Sequence, residues 1–281
     1  MGLLRKPGET VTREDRARIV FAPGRYDASA FERLEPGRRK DEFLELVPEA
    51  GQTAEEFASE AKERWPAHRR AIRFYPYTDG ESAPTGALLG ALTRFVEAAF
   101  PGAGGEIGPA RPIPEEFFDE ERERAEADAI LEDLLDYVSV DALAVIALAS
   151  AALSSGPRDT VGGLASFKRR VAVLSLPFHA EGADDALFLR RTLGAVAHDV
   201  GHVLGMAHCV FFRCAMNGAA TDEAVDERPM HFCPVCEEKI SIALPHARGV
   251  AAESRKRLRE LYREYGLVPE ARFVEKRLKS G

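Results

Sequence analysis

The chain has 281 residues, of which 45% are hydrophobic and 30% charged, a composition that excludes a mainly disordered or fibrous protein. A formal charge of −8 argues against a general nucleic-acid or anionic-membrane binder. No apolar run reaches the roughly 18 residues of a membrane span, and Met1-Gly2-Leu3-Leu4-Arg5-Lys6 turns charged before a signal-peptide core develops, so a cytoplasmic protein is expected.

Residues 1–68 read as an accessory N-terminal extension. They hold one short strand at 18–21 and a helix at 53–64, where Thr53 and Glu56 match a capping box. A strand is predicted at 71–77, then an apolar-periodic helix at 85–100 ended by Pro101-Gly102. A second strand is expected at 106–112, and a long acidic amphipathic helix at 114–137 whose Glu115, Glu116, Asp119, Glu120 and Glu121 form a solvated face. The continuous apolar runs 142–149 and 171–176 read as buried strands, with a loop at 154–159 between them. A helix follows at 185–204, capped by Asp184 or Asp185.

Beyond Gly205 the chain is rich in Cys, His and Pro, and the last predicted helix spans 251–265, with Leu258, Leu261, Tyr262 and Tyr265 on one stripe. The final 29 residues carry nine basic and five acidic side chains, which read as a solvated helix face. Strands and helices alternate first and a compact lobe follows, giving an α/β or α+β domain divided at 69–205 and 206–281.

Histidine and cysteine are concentrated in one stretch. On a helix advancing about 100° per residue, His198 and His202 share a face, while Leu193, Val196, Val200, Val203 and Leu204 lie on the other. Gly194, Gly201 and Gly205 flank the imidazoles without side chains that obstruct a substrate or metal. Gly205 can end the helix in the left-handed conformation and turn His208 back toward the same point. Three neutral imidazoles with an open fourth position is the arrangement of a catalytic zinc, although a histidine pair at this spacing also decorates surfaces by chance.

The four cysteines, Cys209, Cys214, Cys233 and Cys236, fall within 28 consecutive positions. A disulfide framework scatters its cysteines through a small secreted fold, whereas clustered thiols in a larger chain point to a metal. Four thiolates make a closed structural zinc site, which would staple the C-terminal lobe to the loop bearing His208. A redox pair at Cys233 and Cys236 would leave the other two thiols unexplained.

The string His198-x3-His202-x2-Gly205-x2-His208 is similar to the metzincin zinc signature except at its second position. Its continuation through Cys209, Cys214-Ala215-Met216 and Cys233-x2-Cys236 resembles the archaemetzincins, and residues 70–265 follow them in the order of elements, including Ile113-Pro114 at the end of a strand. The resemblance implies a zinc metallopeptidase acting on peptides or proteins, with an α+β metzincin-like fold: a twisted mixed sheet, a backing helix, an active-site helix and a small zinc-stapled C-terminal subdomain. It implies two zinc ions, a catalytic one on His198, His202 and His208 and a structural one on Cys209, Cys214, Cys233 and Cys236. Met216 would form the methionine turn. No nucleic acid or membrane partner is implied, and no feature specifies an oligomeric state.

The family carries glutamate where this chain has Asp199. That glutamate accepts a proton from the attacking water and passes it to the leaving amine. Aspartate withdraws the carboxylate by about 1.5 Å, one C–C bond, and a misplacement of that order costs ~100-fold in rate. Three readings stay open: a catalytic Asp199 in a compressed site or acting through a water, a non-catalytic zinc protein that binds peptides or serves as a structural module, and a purely hydrogen-bonding Asp199. His231 is read as solvated and His68, His179 and His246 as structural or exposed. Ser154 and Ser155 lack a nucleophile-elbow pattern. The extension has no cysteine, so it cannot latch onto a zinc through a thiol, but it is long enough to cover part of a cleft or brace the sheet.

Overall fold

Thr12 opens a helix where the β-branched run at 18–21 suggests a strand. Its hydroxyl accepts the Asp15 backbone N–H at 3.2 Å while the Asp15 carboxylate accepts the Thr12 N–H at 3.0 Å. This reciprocal cap fixes α1 (Arg13–Val20) and outweighs the local strand propensity. A computed structural model describes residues 11–34, 42–61, 66–80, 82–119, 121, 123–166, 168–219 and 221–279. After α2 (Glu42–Leu46) comes α3 (Ala54–Ala61), with the expected Thr53/Glu56 box formed at 2.9 and 3.2 Å. The rest of the helix predicted at 53–64 lies outside the described residues.

The central sheet is built from the segments whose apolar patterns predicted strands. β1 (Ala71–Thr78) leads into α4 (Gly86–Ala99), which is capped by Thr85. The strand expected at 106–112 divides into β2 (Gly104–Ile107) and β3 (Arg111–Pro112), which pair in parallel with successive stretches of β1.

No long acidic helix follows. Residues 114–137 instead form a 3-10 turn, β4 (Phe118–Asp119), β5 (Arg124–Glu126), α5 (Ala127–Asp133) and a second 3-10 turn at Leu134–Tyr137. The apolar spacing there served two different ends: Ala125 is buried in a small sheet, and Ile130, Leu131 and Leu134 are buried under the large one.

β6 (Ala142–Ala149) is buried along its whole length. The loop expected at 154–159 is a hairpin of β7 (Leu153–Ser155) and β8 (Arg158–Val161), turned by Gly156 at φ 54°. It joins β4 and β5 in a four-stranded sheet of order β4-β5-β7-β8. β9 (Gly163–Ser166) and β10 (Val171–Ser175) complete the large mixed sheet, of order β2-β1-β6-β10-β9 with β3 beside β1. All its pairings are parallel except β10 with β9, and β9 is an edge among the described residues.

Helices cover both faces, which is why β6 reads as an unbroken apolar run. Ile146 and Leu148 pack with Phe95 and Val196 on one side, while Val145 and Ala147 pack with Ile130 and Leu134 on the other. A short helix α6 (Leu176–Ala180) precedes α7 (Asp185–Val203), whose N-cap Asp184 accepts the Leu187 N–H at 2.8 Å. The C-terminal lobe holds α8 (Asp222–Glu227), α9 (Pro234–Ala243), α10 (Ala251–Glu264) and α11 (Val268–Lys279). The last of these extends the chain beyond the final helix expected from sequence. On α10, Leu261 and Tyr262 are buried as the stripe required, with Leu258 and Tyr265 packed beside them.

The N-terminal segment binds this lobe directly. Arg13 donates to the carbonyls of Leu34 and Val210 at 3.0 and 2.8 Å, and Arg33 forms a β-bridge with Phe212.

Candidate metal centre

Helix α7 separates its two faces as its spacing demands. Leu193, Val196, Val200 and Val203 are wholly buried in the core, each burial contributing about 1.5–3 kcal/mol. His198, Asp199 and His202 lie on the cleft side. Gly205, at φ 89°, ends the helix; its N–H and that of Met206 donate back to the carbonyls of His202 and Gly201 at 2.7 and 3.0 Å. The reversal carries His208 to the same point, with ring centroids 5.3 Å from His198 and 4.8 Å from His202.

Each imidazole is held through Nδ1. His198 donates to the Ala215 carbonyl at 2.8 Å and His202 to the Met206 carbonyl at 2.9 Å, while His208 Nδ1 meets the Glu49 carboxylate at 2.9 and 3.1 Å. Carbonyl oxygens only accept, so in His198 and His202 Nδ1 carries the proton and Nε2 presents a lone pair. The Nε2 atoms of His198 and His202 are 2.9 Å apart, and one ligand atom from each of the three histidines lies within 4.8 Å of the others. Burial holds His198 well below the ordinary imidazole pKa and brings His202 to about 3, keeping both neutral. Facing lone pairs on neutral rings with oriented far sides are the donor set of a divalent cation.

The rings open into a cleft of about 390 Å³, also lined by Asp199, His179, Arg228, Gly162 and residues 163–165 of the β9 edge. Asp199 Oδ2 is buried without a hydrogen-bond partner. Burial pushes this carboxyl up to about 7, opposed by the charge of Arg228. β9 closes in on it: a Cβ on Gly163 would stand 3.1 Å from Oδ2.

His179, expected to be structural or exposed, is 2% exposed and lines this cleft, with no well-formed hydrogen bond at either ring nitrogen. His231 is half-buried rather than solvated, stacked on Phe273 at 3.5 Å between centroids, and does not line the cleft. Gly201 serves packing instead of access, because a side chain there would collide with Met216 and Met206.

The four cysteines are buried and unpaired, with their sulfurs within 4.8 Å of one another. The Cys209–Cys233 separation of 3.6 Å is far beyond the roughly 2.05 Å of a disulfide. Burial pushes the Cys233 thiol well above its ordinary pKa, whereas hydrogen bonds from neighbouring thiols, Cys214 foremost, hold Cys209 well below. Backbone N–H groups of Cys233 and Met216 donate to Cys214 Sγ at 3.2 and 3.5 Å, a set suited to a soft cation held by thiolates.

This cluster is tied to the histidines. Cys209 N–H donates to the Met216 carbonyl at 2.7 Å, Ala215 supports His198, and Met216 is fully buried against Gly201 of α7. Asn217 clamps the loop by accepting from Cys214 N–H and donating to the carbonyls of Cys209 and Phe212 at 2.6 and 2.9 Å.

Sequence reasoning missed Glu49, and no local signal marks it, 159 positions from His208. The extension brings it there. Gly51, at φ 72°, packs without a side chain on Val210 and Phe211, Gln52 accepts the Ala207 N–H at 3.3 Å, and Phe43 stands edge-on to His208 at 4.9 Å. Removing a carboxylate that orients a metal-bound histidine typically weakens metal binding about 10–100-fold. Glu49→Ala is therefore expected to lower zinc affinity by that factor in a chelator competition, with Glu49→Gln closer to wild type because its amide oxygen still accepts from Nδ1. An unchanged affinity in Glu49→Ala would refute this role.

The model of Peptidase family M54 matches residues 113–242. An archaemetzincin of Sulfolobus acidocaldarius is 33% identical over 131 residues, covering 45% of this chain and 74% of the relative. One of Thermococcus kodakarensis is 34% identical over 104 residues, 35% of this chain and 56% of the relative. The crystal structure of archaemetzincin from Methanopyrus kandleri has a TM-score of 0.54 at 23% identity, covering 62% of this chain and 94% of that one. That from Archaeoglobus fulgidus, complexed with malonate, has a TM-score of 0.52 at 23% identity, covering 60% and 99%. The fold is thus that of these structures, and this chain exceeds them in length.

Proposed function

Because this chain belongs to the archaemetzincins, peptidase family M54, we propose that it is a zinc-dependent metallopeptidase that hydrolyses peptide bonds in the cleft beside α7. The observation that carries the reading is the convergence of one ring nitrogen from each of the three histidines, with each ring held through Nδ1. His198, His202 and His208 are the ligands of the catalytic zinc in this reading, and Cys209, Cys214, Cys233 and Cys236 those of a structural zinc, two ions in all. Zinc bound at the histidines supplies Lewis acidity that polarises the scissile carbonyl and acidifies the attacking water.

The chain's own groups do the rest. Asp199 Oδ2, orphaned beside His198, accepts the proton of the attacking water and returns it to the leaving amine. The β9 edge takes the substrate backbone as an added strand, which favours a peptide ligand. Met216 packs beneath the histidines as the methionine turn, supporting the loop whose Ala215 carbonyl orients His198. In this arrangement residues 1–68 form the accessory segment, 69–205 the sheet and active-site helix, and 206–281 the cysteine-stapled lobe.

Among the described residues no helix is long and apolar enough to cross a membrane. Four reduced thiols fit a reducing compartment, and the cytoplasm is the location this reading adopts. The test is a peptide library incubated with the zinc-loaded chain. Cleavage that a chelator stops and added zinc restores is expected; no cleavage of any member by a chain carrying its zinc would overturn the enzymatic reading.

A further inference from the structure

Arg228 lines the cleft and makes no salt bridge among the described residues, the one carboxyl its charge acts on there being that of Asp199. Its one hydrogen bond there is a long one, Nη1 to the Asn217 carbonyl at 3.4 Å. The neighbouring arginines are satisfied otherwise: Arg190 pairs with Glu270 and Arg191 with Asp226, each at 2.6 Å. Arg228 is held in place because its carbonyl accepts from Arg190 at 3.1 Å and its N–H donates to Ala224 at the end of α8. Its charge acts on Asp199, His179, His198 and His202, all of which line the same cleft.

His179 lies on the same cleft, 2% exposed, with no well-formed hydrogen bond at either ring nitrogen and only a weak approach to the Gly162 backbone. A desolvated guanidinium with no ion pair at contact distance is unfavourable, and so is a buried imidazole without a well-formed hydrogen bond. One planar anion relieves both: a carboxylate accepts two N–H bonds from a guanidinium and a further one from an imidazole. A neutral amide cannot offset the charge.

We propose that Arg228, with His179, forms a carboxylate-binding subsite that selects peptides carrying a negative charge close to the scissile bond. The proposal rests on the peptidase reading only in taking the ligand to be a peptide. The carboxylate comes either from the peptide's own C-terminus or from an acidic side chain, and the two are separable by experiment.

Fluorescence anisotropy on the zinc-loaded chain would compare three dye-labelled hexapeptides of one sequence: one ending in a free carboxylate, one ending in an amide, and one amide-ended with its central glutamine changed to glutamate. At least one charged peptide is expected to bind tenfold or more tightly than the neutral one, and which one identifies the source. Arg228→Gln is expected to bring all three to the affinity of the neutral peptide, and Arg228→Lys to keep part of the preference, both with unchanged zinc content. Equal affinity of the wild type for all three peptides would overturn the subsite without recourse to any variant. So would a preference that survives in Arg228→Gln. A chain that cleaves peptides without regard to charge loses the subsite and remains a peptidase, whereas a carboxylate preference in a chain that cleaves nothing retains the subsite and removes the peptidase.

Discussion

Cys236→Ser is expected to lose the proposed structural zinc and to melt about 10 °C or more below the wild type, because in that reading the four thiolates on the ion hold the C-terminal lobe together. All four cysteines are buried, and Cys233 and Cys236 sit at the start of α9, so a metal held by them would join that helix to the loop of Cys209 and Cys214. Structural zinc sites contribute roughly 10–16 kcal/mol of apparent binding energy, comparable with the ~5–15 kcal/mol that stabilises a whole domain. Removing one of four ligands forfeits several kcal/mol of that, and each kcal/mol shifts the midpoint by about 2–4 °C in a chain approaching this size. The damage reaches the histidines, because the Ala215 and Met216 carbonyls on the same loop hold His198 and Cys209. Thermal melting followed by circular dichroism, with zinc analysis of the same sample, reads both effects. A variant that melts with the wild type and keeps its zinc would show that the thiols are ordinary core residues.

The second large effect concerns Asp199. Asp199→Ala is expected to lower kcat by about 10²–10⁴-fold, the usual contribution of a positioned general base, with zinc content unchanged because the imidazoles do not depend on it. Asp199→Glu restores the residue found in the family, yet it is also expected to lose rate here. The carboxylate already lies against β9, where even a Cβ on Gly163 would come within 3.1 Å of Oδ2. Another methylene drives it about 1.5 Å further into that strand, a displacement that costs ~100-fold in rate. Steady-state kinetics on one cleaved peptide distinguishes the possibilities. Loss in both variants means a site built around the shorter acid. If wild type and Asp199→Ala are equally inert while Asp199→Glu gains activity, the chain is a zinc protein that binds peptides without cutting them.

The helix carrying His198 and His202 was legible because several local signals agree on it. Asp184 caps it, a 3.6-residue period buries Leu193, Val196, Val200 and Val203, and Gly205 terminates it, so the placement of His198, His202 and His208 follows from local rules. The fully buried strands β6 and β10 were equally plain as unbroken apolar runs.

Residues 114–137 misled because an acidic, apolar-periodic stretch resembles a surface helix. There, Ala125 pairs across β4 and β7 while only residues 127–133 wind into α-helix, and Glu123 at φ 52° breaks any continuous helix. At 18–21 the local strand propensity was real, but the Thr12–Asp15 cap lies upstream of the segment that suggested it. Glu49, His179 and Arg228 were out of reach for another reason. His179 and Arg228 line the cleft and Glu49 reaches His208 through tertiary packing of separate segments, and no spacing along the chain encodes that meeting.

Zinc analysis of the purified wild type beside His202→Ala tests the central claim most directly. The three-imidazole centre predicts two zinc ions per chain in the wild type and one in the variant, with the cysteine-held ion retained and the melting temperature of the C-terminal lobe preserved. A wild type with one ion or none, or a variant that still holds two, would contradict it.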